Sequence, residues 1–113
     1  MYRLALAALL FCGISPAFAA GSVAGTVVWV RVDSNGKGMV YFSAPVSGVP
    51  VECANASYPN ALGFDSETPG GKSILAVALA AKATGSEITA YGKGVCAVYG
   101  SGVVEDLHRI IVH

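Results

Sequence analysis

The chain has 113 residues, 54% of them hydrophobic and only 12% charged, with seven lysines and arginines balancing seven aspartates and glutamates. The basic residues are scattered, which argues against a nucleic acid or an anionic membrane surface as partner, because phosphate binding needs concentrated cationic surface. The length supports one small domain, with a modest core that a crosslink or self-association would help.

The first segment reads as an address. Arg3 supplies the positive start, Leu4 to Ile14 is an almost unbroken apolar run, Ser15-Pro16 breaks it, and Ala17-Phe18-Ala19 offers the small-x-small pattern cut by signal peptidase. The run is too short to cross a bilayer, and Phe11 before Cys12 is the wrong residue for a lipoprotein site. Residues 1–19 are therefore expected to be a cleaved signal peptide and 20–113 a single secreted or periplasmic domain with no membrane span. Only Arg3 among the charges leaves with the signal, so the remainder carries six basic and seven acidic groups, a net of −1.

Val23 to Val32 is strongly β-branched and predicts a strand, with Val28, Val30 and Val32 on one face and Val27, Trp29 and Arg31 on the other. Asn35-Gly36 is a strong hairpin signal, and Met39 to Ala44 returns as the second strand. Pro45 to Cys53 and Asn55 to Pro59 read as loop, and Ala61 to Asp65 as a third strand. Thr68 is the N-cap candidate, Pro69 sits at the first turn, Ser73 to Ala83 is the one clear helix, and Thr84-Gly85 closes it. Glu87 to Tyr91, continuing through a bend or bulge at Gly92-Lys93-Gly94 into Val95 to Tyr99, and Leu107 to Val112 after the turn at Gly100-Ser101-Gly102 complete the strands. This order predicts a mainly β fold, a small five-stranded OB-like barrel with one helix between strands three and four. An open antiparallel sheet with a helix on one face is the alternative.

The helix carries an unusual signal. Ile74, Leu75, Val77 and Leu79 spread over about 200°, wider than one packing face requires. Ala76, Ala80 and Ala83 leave a small-residue edge that a neighbouring subunit can approach closely, so a homo-oligomer is expected; the plain alternative is that alanine is a good helix former.

Once Cys12 has left, Cys53 and Cys96 form the one possible pair, without C-x-x-C spacing or an accompanying histidine cluster, and a structural disulfide is expected. Closing its loop of about 44 residues is worth roughly 4 kcal/mol.

Chemical motifs are sparse. Gly70-Gly71-Lys72-Ser73 fails as a phosphate loop because Ser66 stands where glycine is needed, and it reads instead as a flexible approach to the helix. His108 can be sketched with Glu105 or Asp106 as a base with its orienter, but no nucleophile is marked out. Glu105-Asp106 follow a glycine turn and read as a solvated loop or as acceptors for backbone donors. Asp33 and Asn35 lack the rest of a calcium loop, and Asn55-Ala56-Ser57 is a glycosylation sequon with meaning only in a eukaryotic host. No catalytic set, metal site or cofactor is expected. Among the rings Trp29, Tyr41, Phe42, Tyr58, Phe64, Tyr91 and Tyr99, Tyr58 with Asn60 is the first choice for an exposed binding shelf; the plain reading places most rings in or beside the core.

The strand GTVVWVRV from Gly25, Cys53, the stretch FDSETPGGKSILAVALAAKATG from Phe64, YGKGVCAVYG from Tyr91 and GVVEDLHRIIV from Gly102 together resemble small secreted bacterial proteins related to the binding subunit of subtilase cytotoxin. The resemblance implies five-stranded barrels assembled as pentameric rings, helices facing the centre, that bind glycans. The toxin subunits are longer, carry extra cysteines, and have sugar-contact residues with no matching positions here. The expected function is a noncatalytic secreted module that binds a glycan or cell-surface protein. The alternative is a periplasmic or envelope structural or inhibitor-like protein.

Overall fold

Val23 to Val32 does not run as one strand. In the computed structural model, which describes residues 20–113, it divides at Thr26 into β1 (Ser22–Gly25) and β2 (Val27–Val32). The predicted leader lies outside the described residues. The division has a local cause: Thr26 donates its N–H to Ser43 Oγ at 2.9 Å while Ser43 returns its own N–H to the Thr26 carbonyl at 2.9 Å. A side chain at Gly25 would collide with Ser43, so the crossing needs glycine.

The two halves join different sheets. β2, β3 (Lys37–Phe42) and β4 (Ala61–Asp65) form one antiparallel sheet in that order. β1, β5 (Ile88–Gly92) and β6 (Leu107–Val112) form a second, ordered β1-β5-β6. A single parallel bridge, Gly63 to Asp106, passes between the sheets without extending into a ladder. The fold is thus two separate three-stranded sheets and one long helix, a small mixed α/β domain, and not the closed five-stranded OB-like barrel expected from element order.

The β2–β3 hairpin turns at Asp33–Gly36, where Gly36 adopts φ 86° and Asn35 Oδ1 accepts the Lys37 N–H at 3.1 Å. The register slips between Val27 and Trp29. That irregularity breaks the expected alternation: Val27 and Val30 both meet the main core, while Val28 is exposed.

Helix α1 (Pro69–Thr84) begins at the Thr68 cap and Pro69 first turn that the sequence offers, four residues before the clear helical stretch from Ser73. Thr68 Oγ1 accepts the Gly71 N–H at 2.9 Å, and Gly85 closes the far end in the left-handed region with φ 64°. Gly70-Gly71 therefore belongs to the first helical turn, not to a flexible approach. Gly71 is buried so tightly that a Cβ would run into the Asp65 carbonyl.

Ala78 and Ala81 bury α1 in a core shared with Val23, Val40, Phe42, Leu62, Ile88 and Leu107, drawn from both sheets. A second cluster, Met39, Ala61 and Val104, is covered by Trp29, Tyr41, Tyr58 and Tyr99. Val95 to Tyr99 forms no strand. Asp106 takes the N–H groups of Ala97 and Val98 at 3.1 and 3.0 Å, donors that a neighbouring strand would otherwise have to accept.

Candidate functional site

The loops from Pro45 to Pro59 build no ladder beyond the single antiparallel bridge of Ser47 to Ser22, and prolines 45, 50 and 59 supply no backbone donors to extend it. They fold over the second cluster and line a cleft of about 340 Å³ that is open to solvent on one side. Its floor is the buried set Val46, Cys53, Ala61, Val104 and Glu105, and its rim the exposed Ala54, Ala56 and Pro59. A 3-10 turn, Val51–Cys53, delivers Cys53, which is bonded to Cys96 with a Cα–Cα distance of 5.6 Å. The disulfide ties this wall to the β5–β6 loop.

The polar groups on the cavity wall are already engaged. Asn55 donates from Nδ2 to the Gly102 carbonyl at 2.8 Å and accepts the Ser57 N–H at 2.8 Å. Glu105 is fully buried; its carboxylate accepts the Gly21 N–H at 3.0 and 3.1 Å on its two oxygens and the Gly94 N–H at 2.7 Å. What remains facing the space is mostly apolar.

Tyr58 lines the cavity, and its hydroxyl accepts from Arg31 Nη1 at 3.3 Å. Arg31 also holds Asp33 through Nε at 2.8 Å and Nη2 at 3.2 Å, and Tyr99 donates to the same carboxylate at 2.7 Å. Hydrogen bonds from Arg31, then Tyr99, hold the Asp33 carboxyl below its ordinary value, while Asp33 raises Arg31. Burial, followed by the bond to Asp33, pushes the Tyr99 phenol up. Next to this network Trp29 and Tyr41 stack as cross-strand neighbours, centroids 4.6 Å apart and planes 9° from parallel.

The two residues picked for a binding shelf separate. Tyr58 lies at the cavity, but Asn60 donates to the Phe42 carbonyl at 3.1 Å, fastening β3 to the loop before β4. Ala76, Ala80 and Ala83 are exposed together with Leu79, along the side of α1 opposite Ala78 and Ala81. Of the two readings of Glu105-Asp106, the solvated loop is wrong: both side chains are buried as backbone acceptors. His108 is exposed, and the carboxylates sketched as its orienters are occupied by N–H groups.

Sequence reading overlooked the pairing of Arg31 with Asp33, although their two-residue spacing on a strand end places opposite charges on one face. It also missed the housing of Glu105, for which Gly21 and Gly92 clear the room; a Cβ at Gly21 would come within 2.6 Å of the carboxylate. No local pattern links those positions. Among the described residues no group of three or more His, Cys, Asp or Glu is placed to hold a metal ion, and no helix is long and apolar enough to cross a membrane.

With the barrel replaced by two separate sheets, the expected likeness to the toxin binding subunit fails. The glycan- or surface-binding role drawn from it fails too, and nothing in this mixed α/β domain favours the structural or inhibitor-like alternative. Comparison with known protein families, characterised proteins and solved structures finds no match to the chain.

Proposed function

We propose that this chain is exported, loses its leader after Ala19, and serves outside the cytoplasm as a noncatalytic domain that holds a small apolar molecule. The carrying observation is the mostly apolar cleft of about 340 Å³ in which the Asn55 amide and the Glu105 carboxylate are already hydrogen-bonded within the protein. A space of this kind favours apolar contents, because an occupant's unpaired polar atoms would lose water without gaining partners. At more than twice the ~150 Å³ of a closed cavity that takes up benzene, the open cleft has room for indole or an alkylbenzene. The disulfide suits an oxidising compartment, and the buried acids have no free oxygen positioned beside a nucleophile.

Titration with indole, followed by amide chemical shifts, tests the reading. Shifts should concentrate at Val46, Val49, Ala54, Tyr58 and Val104, and Ala56→Trp, filling the space from the rim, should abolish them. Absence of saturable shifts at millimolar indole and toluene would sink it. Self-association is the second part of the proposal, supported by the exposed row Ala76, Leu79, Ala80 and Ala83, with Leu79 half exposed. Light scattering should give more than the monomer mass, and Ala80→Glu should return the monomer.

A further inference from the structure

Glu105 stands out as a fully buried carboxylate that makes no ion pair among the described residues. Two backbone N–H groups satisfy its oxygens, but dipoles compensate a buried charge less completely than a cation does. One of those donors is Gly21, at 3.0 and 3.1 Å from the two oxygens. Gly21 is itself fixed, since its carbonyl accepts the Gly92 N–H at 2.8 Å.

The sequence pattern Ala17-Phe18-Ala19 marks the bond before Ala20 for cleavage. Cleavage there converts the Ala20 amide nitrogen into an α-ammonium. Covalent geometry keeps that nitrogen within about 3.7 Å of the Gly21 nitrogen, whatever the dihedral angle at Ala20. The new cation is thus confined to within about 7 Å of both Glu105 oxygens, and the ψ angle of Ala20 sets where in that range it stands. Ala20 is exposed, so the ammonium keeps part of its hydration while facing the carboxylate.

We propose that leader removal completes this site: the α-ammonium of Ala20 pairs with buried Glu105, and the folded domain is stabilised by its own processing. The inference rests on cleavage after Ala19. Other charged groups around the terminus are few. The loop 45–50 has none, Asp106 is turned to Ala97 and Val98, and Lys93 is exposed beside Gly94.

The test uses exported protein made from the full chain, with mass spectrometry reporting its terminus. A terminus other than Ala20 defeats the cleavage reading and this pairing with it. With Ala20 as terminus, the ¹⁵N-labelled α-amino group should titrate about one unit or more above its ordinary 7.7–8.0. Inserting Gly-Ser between Ala19 and Ala20, with cleavage still after Ala19, carries the ammonium away and should lower the melting midpoint by about 4 °C or more. In Glu105→Gln the insertion should have no such effect; if that variant does not fold, the titration decides. An ordinary titration, or a midpoint indifferent to the insertion, overturns the pairing while leaving the cleavage reading intact.

Discussion

Helix α1 and the segment 93–106 are similar in length and opposite in how they satisfy their backbones. The helix closes its hydrogen bonds within itself and finishes its ends with neighbours in sequence, Thr68 at one and Gly85 at the other. The segment 93–106 has almost no repeating structure. Its donors go to side chains, Gly94 to Glu105 and Ala97 and Val98 to Asp106, and Lys93 reaches the Asp106 carbonyl at 2.8 Å. A disulfide then pins its middle to the loop that walls the cavity. One region is held by a repeating pattern, the other by a few individual side chains and one long-range crosslink, so a single lost side chain should matter far more in the second.

The disulfide gives the largest expected effect. Replacing Cys53 and Cys96 together by alanine frees a loop spanning 43 positions and should cost about 4 kcal/mol, read from urea unfolding. A cost under about 1 kcal/mol would mean that the acids alone hold the segment. Asp106→Ala comes next, because it strands the N–H groups of Ala97 and Val98 in a partly buried setting; about 2 kcal/mol should be lost, with faster hydrogen exchange at those two amides. In the helix, Thr68→Ala removes one cap bond and should cost about 1 kcal/mol, with exchange rising only in the first turn. If the cap proved costlier than Asp106, the contrast between local and remote support would be reversed.

The same contrast explains what could be read from the chain. The hairpin at Asn35-Gly36, the helix with Thr68 and Gly85, and the third strand each rest on residues a few positions apart, where turn chemistry and capping act. Strand count and order suggest a barrel because they do not say where one β-branched run divides. The Thr26–Ser43 exchange that divides it joins positions 17 apart. Val95 to Tyr99 looked like a strand because its apolar residues suit one, but a carboxylate eight and nine residues further on captured its donors. At the cavity, Tyr58 was legible as an aromatic beside a cysteine, whereas the Glu105 pocket needs Gly21 from 84 residues away. Burial of that acid follows from tertiary placement of glycines, which no periodicity encodes.

The smallest expected effect separates the two regions by pH. Tyr99, in the disulfide segment, donates to Asp33 on the hairpin, and Arg31 grips the same carboxylate. Because these bonds lower the Asp33 pKa on folding, their stabilisation is fully present above the unfolded carboxylate value of about 3.9 and is lost as pH falls through the lower folded value. Asp33 lies in a solvated setting, so the global stability should change little. The local consequence is sharper: below pH 4, exchange near Tyr99 and at the hairpin turn should quicken while amides of α1, whose caps are a hydroxyl and a glycine backbone, hold their protection relative to the intrinsic rate. Asp33→Asn should remove the acid step near Tyr99 and leave the helix as it was. Equal loosening of both regions in that acid range would show that the hairpin carboxylate is not what ties Tyr99 down, and that the segment 93–106 yields only when the whole domain does.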